Sequence, residues 1–233
     1  MSTCRHRTTC LPGWNAAVQL AVALLIATAL PAGAAEQPAD ERWQAFRETL
    51  STGADRARLW RLGWATAHSA GLAHNVYVAG QSGSSDRRFD ARVSTVKSLL
   101  ALADLAMNPP PHAAAAGTME ALYEQRERQP VRALDEAQAL MRETAAEERR
   151  RRSLRGQRGS IAVNLLAGAV IAFGDDRVGD GAINAASGLL VTALQTATEP
   201  ATVSRYQRDR TARHRWTLSA GRAHALASLR LAW

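Results

Sequence analysis

Cysteine occurs only twice in the 233 residues, at Cys4 and Cys10. Both lie in the N-terminal stretch read below as a leader, so the remainder has no disulfide staple, thiolate nucleophile or thiolate metal ligand. Its stability must come from a buried apolar core. Lysine is rarer still, since Lys97 stands alone among 29 basic residues. A formal net charge of +8 ordinarily points to nucleic acid, but an excess carried by arginine beside abundant alanine reads as the habit of a high-GC genome. No nucleic-acid partner is expected. An anionic membrane surface or another envelope protein is the expected partner for a basic exported chain.

Catalytic signatures are also missing. The chain has no G-x-S-x-G elbow, no G-x-G-x-x-G turn, no Walker loop and no S-x-x-K placed before a matching triad. No catalytic residue, cofactor or metal is therefore assigned.

What is present begins with Arg5 and Arg7, the apolar run "AAVQLAVALLIATAL", Pro31 and "AGAAEQ". A basic region, a short apolar region and small residues at the cut describe a secretory signal peptide over residues 1–35. The apolar run is shorter than the roughly 20 residues a bilayer span needs. Residues 36–233 are long enough to form a single domain, and export places them in the periplasm or cell envelope.

Along that domain the periodicity is almost entirely helical. Trp43, Phe46 and Leu50 recur at helical spacing over residues 41–50, with Ser51, Thr52 and Asp55 as N-cap candidates for a second helix reaching about Gly80. Asp86 can start the next, which "NPPPH" at 108–112 ends. Residues 117–158 form a charged helical middle, divided by Pro130 at the first turn of its second half. Its run "EERRRRSLRGQR" reads as a solvated helix end, with an anionic-surface contact as the functional alternative.

Residues 160–197 then read as a Gly/Ala-rich helical hairpin of two buried helices around "DDRVGD". Its rival is a hairpin inserted in a membrane, which predicts an unbroken apolar exterior. Alternating apolar positions near the end, from Ala225 to Trp233, suggest a short β-hairpin over 214–233.

The stretch "RLWRLGWATAHSAGLAHNVYVAGQSG" (58–83) carries the candidate binding residues. On a helical wheel Trp60, Trp64, His74 and Asn75 share one side, with His68 at its edge. The opposite side, Gly63, Thr66, Ala70, Ala73, Tyr77 and Gly80, is a small-residue stripe suited to close helix approach, a device repeated at Gly168 with Ala172 and at Gly181, Ala185 and Gly188. His68 and His74 are six residues apart, which does not give the shared face of a helical metal pair. Arg87 and Arg88 join the binding candidates because an arginine-rich helix start can hold a phosphate or carboxylate, although Asp86 and Asp90 can equally pair with their neighbours along the helix. His112 falls in an expected loop.

Trp64, Tyr77, "DRRFDARVSTVKSLL", "GSIAVNLLAGAVIAFG" and "GDGAINAASGLLVTALQTATEP" together resemble a group of uncharacterised proteobacterial envelope proteins. The resemblance implies an exported, helical protein and no chemistry. The expected fold is thus mainly α, a helical bundle packed through small-residue stripes. The expected role is a non-catalytic exported envelope protein associated with membrane or a partner. The alternatives are a periplasmic enzyme or small-ligand binder using the Trp60/Trp64/His68/His74 face, and an inner-membrane helical-hairpin protein.

Overall fold

The stripe Trp43, Phe46, Leu50, Gly53, Ala57 continues in steps of three and four through the polar residues at 51, 52 and 55, and all five are buried. One face therefore stays in contact with the core, and the helix does not break there. In the computed structural model, which describes residues 38–212, α1 runs unbroken as Ala39–Gln81. Ser51, Thr52 and Asp55 are thus interior helical residues rather than caps, and Ser51 Oγ donates back to Glu48 O (3.1 Å). At 1.5 Å per residue α1 is about 65 Å long.

The remaining elements follow their punctuation. Helix α2 (Ser85–Met107) is capped by Ser84, whose hydroxyl accepts from Arg87 N. After the prolines come α3 (His112–Gln125) and α4 (Pro130–Arg151), the latter with Pro130 in its first turn. Ser153 caps α5 (Leu154–Gly174) by accepting from Gly156 N, and a tight turn with Asp176 at φ 51° leads into α6 (Val178–Thr198). A further helical stretch covers 202–212, and among the described residues there is no strand. The expected leader (1–35) and terminal hairpin (214–233) lie outside the described residues.

The N-terminal half of α1 joins α3, α4 and the 202–212 helix around a conventional core: Trp43, Phe46, Leu50, Met119, Met141 and Val203 lie at its centre. Tyr123 packs edge-on against Trp43 and Tyr206 against Phe46. Arg47 and Arg126 lie on the Tyr123 ring, their guanidinium carbons 4.1 and 3.7 Å from its centroid.

The C-terminal half of α1 joins α2, α5 and α6 in a lobe built differently. Its tightest contact is between α5 and α6: a Cβ on Gly168 would lie 2.6 Å from Gly181 O and 2.7 Å from Ala185 Cβ, so only glycine allows that approach. The stripe on α1 behaves otherwise. Thr66, Ala70, Ala73, Tyr77 and Gly80 are exposed, and nothing lies within 4 Å of a Cβ built at Gly63 or Gly80. The tryptophan side of α1 is the one that packs, because the indoles find hydrogen-bond acceptors on α6.

The hairpin helices are not buried as a pair, for each buries only the side that touches its neighbours. Over 160–173 and 181–197 the exposed positions are Ala162, Leu165, Leu166, Val170 and Phe173, then Ala182, Ile183, Ala186, Ser187, Leu190, Val191, Ala193, Leu194 and Ala197. Ser187 is the single polar side chain among them. No described helix is long and apolar enough to cross a membrane.

Candidate functional site

Polar side chains that a soluble bundle would turn outward point inward in this lobe. They line a cleft of about 460 Å³ between α1, α2, α5 and α6, with His68 and Asn75 from the first, Ser94, Lys97 and Ser98 from the second, Asn164 from the third and Asn184 from the fourth. Lys97 is half-buried, and its ammonium donates to Asn184 Oδ1 (2.9 Å) and Asn184 O (3.4 Å). Among the described residues no carboxylate lies within ion-pair distance of it. Burial pushes its pKa below the ordinary lysine range.

Asn164 is buried at the opposite wall, its amide donating to Ser160 O (2.9 Å) and Thr192 Oγ1 (3.1 Å). Gly188 lies where the two walls meet. A Cβ there would fall 2.8 Å from Lys97 Nζ and overlap Asn164 Oδ1. The glycine thus keeps open the floor on which an ammonium and an amide converge.

The candidate residues are divided by the fold. Trp60 Nε1 donates to Gln195 O (3.2 Å) and Thr198 Oγ1 (3.2 Å), and Trp64 Nε1 to the same hydroxyl (3.1 Å). Both indoles therefore dock the last turn of α6. His68 stacks at 5.7 Å on Trp64 and reaches Gln195 Oε1 (3.3 Å) from its Nε2. His68 and Asn75 enter the Lys97 cleft, while His74 is exposed outside it. Arg87 is exposed beside the α5–α6 turn, and Arg88 donates to Ser82 O (2.9 Å), closing the end of α1. The arginines and the Trp/His side therefore do not converge.

Two polar clusters outside the cleft hold the fold together. Arg177 bridges Asp90 of α2, Asp175 (2.7 Å) and Asp180 (3.0 Å), so Asp90 pairs across helices rather than along its own. Asp90 first, and Asp175 with it, hold the guanidinium above its ordinary range. The second cluster corrects the loop expected at His112. That residue opens α3 and is fully buried, because its Nε2 is 2.8 Å from the buried Glu148 carboxylate. A carboxylate accepts only, so the imidazole donates. Glu148 also accepts from Val203 N (3.0 Å) and Ser204 N (2.7 Å), capping the 202–212 helix from a distant element. Gly53 makes room for this, since a Cβ there would overlap His112 and sit 2.5 Å from Thr202 Oγ1.

The basic run at 147–158 is partly consumed in the fold. Arg151 pairs with the buried Glu199 (2.5 Å) and Arg152 donates to Glu199 O (3.0 Å), while Arg149, Arg155 and Arg158 are exposed.

Sequence reasoning passed over Asn164, Asn184, Arg177 and Glu148, and left Lys97 out of the binding candidates. Two of them carried a signal: Lys97 is the lone lysine, set between Val93, Val96 and Leu100, and Glu148 continues the apolar stripe Ala137, Met141, Ala145. No group of three metal-ligating side chains occurs among the described residues. No family model, curated protein or solved structure matches the chain.

Proposed function

We propose that the protein is a non-catalytic exported envelope component that seats the outer face of its α5–α6 hairpin in the surface of a membrane. The observation that carries this reading is the exterior of that hairpin, where Leu165, Leu166, Val170, Phe173, Ile183, Leu190 and Leu194 are exposed on two tightly coupled helices while Asn164, Asn184 and Thr192 line the cleft. Leaving so many large apolar groups in water is unfavourable by about 25 cal/mol per Å², and a concentration of exposed apolar groups marks a contact surface. Lipid fits for three reasons. The hairpin exterior offers a protein partner a single polar side chain, Ser187, the exposed Arg155 and Arg158 stand at the start of α5 where head groups would lie, and the leader-like N-terminus directs the chain to the envelope. The contact is an embedded face rather than a bilayer-crossing span, in keeping with helix lengths and composition.

Fractionation of the expressed full chain tests the reading. The protein is expected in a membrane pool after a high-salt wash and after carbonate. Leu166→Asp with Val170→Asp is expected to shift it to the soluble pool without loss of helicity. Recovery of the wild-type protein in the soluble periplasmic pool, whether as monomer or oligomer, overturns the proposal.

A further inference from the structure

We infer that the cleft between α1, α2, α5 and α6 binds a small organic monocarboxylate, with its carboxylate on Lys97 and its apolar portion along Leu100, Val163 and Val191. The inference does not depend on the membrane seating proposed above, because it concerns the inward side of the same helices.

Lys97 is half withdrawn from water without a carboxylate partner among the described residues, and the groups that line the cleft around it are uncharged: the Asn184 amide and main-chain oxygen, the Asn164 amide and the hydroxyls of Ser94 and Ser98. Buried charges are ordinarily paired, since an unpaired one costs far more than a neutral polar group. An ammonium carries three donors and Asn184 takes two. The remaining donor, with hydroxyls from the same helix, suits an oxyanion. One cation selects one negative charge, because a dianion would bring an uncompensated charge into the same low-dielectric space.

The volume of about 460 Å³ lies within the range of small-molecule sites, and such sites combine an apolar wall with a few convergent polar groups. Here Leu100, Val163 and Val191 share the lining with the polar set. Asp104, farther along α2, also lines the cleft, and His68 stands at its α1 wall. A carboxylate is therefore disfavoured at the Asp104 end, which sets the orientation of the ligand in the cleft. Gly188 lets the ammonium and the amide approach each other at the cleft wall, since a Cβ there would fall 2.8 Å from Lys97 Nζ and overlap Asn164 Oδ1.

Isothermal titration of the full chain, purified in mild detergent, tests the inference with hexanoate as the probe. Hexanamide serves as its neutral counterpart and inorganic phosphate as a competing anion. Hexanoate is expected to bind saturably with one site, and hexanamide at least tenfold more weakly. Lys97→Met is expected to weaken hexanoate at least tenfold while leaving the thermal midpoint equal or higher, and Lys97→Arg to retain part of the affinity. Arg142→Gln, on the exposed surface of α4, is expected to leave hexanoate affinity unchanged. Gly188→Val, as a second route to the same cleft, is expected to abolish binding with the helical signal kept. Absence of saturable hexanoate binding, equal binding of hexanamide, unchanged affinity in Lys97→Met, or binding of phosphate alone would each overturn the inference.

Discussion

Replacing Glu148 removes the acceptor on which three elements converge. Its carboxylate is buried and takes hydrogen bonds from His112 Nε2 (2.8 Å), Val203 N (3.0 Å) and Ser204 N (2.7 Å), so truncation strands two backbone donors and an imidazole away from water. Each stranded donor costs about 1–3 kcal/mol, and removing one partner of a buried pair about 3–5 kcal/mol. Glu148→Ala is therefore expected to lose about 3–5 kcal/mol, a large share of a total that is typically about 5–15 kcal/mol. Glu148→Gln keeps the volume and one acceptor, but its amide then faces either Ser204 N or the His112 and Val203 donors. A loss of about 2–3 kcal/mol follows from that donor–donor conflict.

The pH dependence distinguishes the charge from the shape. Burial pushes the Glu148 carboxyl up, yet the hydrogen bonds from His112, Ser204 and Val203 outweigh it and hold the group below its usual value. The unfolded chain then binds a proton at a higher pH than the native one. This contribution is complete above the ordinary carboxylate pKa of about 4.3 and fades as the pH falls through the lower native value. Guanidinium unfolding followed by circular dichroism, at pH 7 and in steps below pH 4.5, should show the gap between wild type and Glu148→Gln narrowing as acid is added. A variant within about 0.5 kcal/mol of wild type at pH 7, the range of ordinary surface changes, or a gap constant with pH, would refute the reasoning.

Gly53→Ala should cost about 1–3 kcal/mol in the same unfolding assay, because its methyl would overlap the buried His112 ring and press on Thr202 Oγ1 (2.5 Å). Gly181→Ala places a methyl on Gly168 O and 2.7 Å from Ala172 Cβ, against backbone rather than a flexible side chain. It should force α5 and α6 apart and speed amide exchange in both helices while leaving exchange in α4 near that of wild type.

The helical class and most helix limits were readable because prolines, glycines and serine caps act locally: Pro130 opens α4, and 108–111 separate α2 from α3. Two features escaped because they depend on partners far away in sequence. The polar residues at 51, 52 and 55 have the chemistry of caps, but the stripe from Trp43 to Ala57 meets α3 and the 202–212 helix continuously, and tertiary burial keeps α1 in one piece. The two faces of residues 58–81 were visible on a wheel, yet not which of them packs. Small residues permit close approach without requiring it, whereas Trp60 and Trp64 gain acceptors at Gln195 and Thr198 once α6 is in place. Nothing local could announce an acceptor lying 135 residues away.

The unequal construction of the two halves bears on where selection for function operates. Around Phe46, Leu50 and Met119 apolar groups face inward, and the buried His112, Glu148 and Ser204 are joined in a capping cluster, an arrangement that stability explains. In the other half Ala167, Ile171 and Ala172 are buried, but Lys97, Asn164 and Asn184 line the cleft and Leu166, Phe173 and Leu190 lie outside. Water as the only solvent gives no reason for that placement, since it leaves apolar groups wet and a cation partly desolvated at the same time. A lipid surface on the outside and an anion on the inside would each remove one of these costs. The two proposals therefore answer separate halves of one physical anomaly. A protein that proved neither to bind membranes nor to take up carboxylates would leave both halves unexplained.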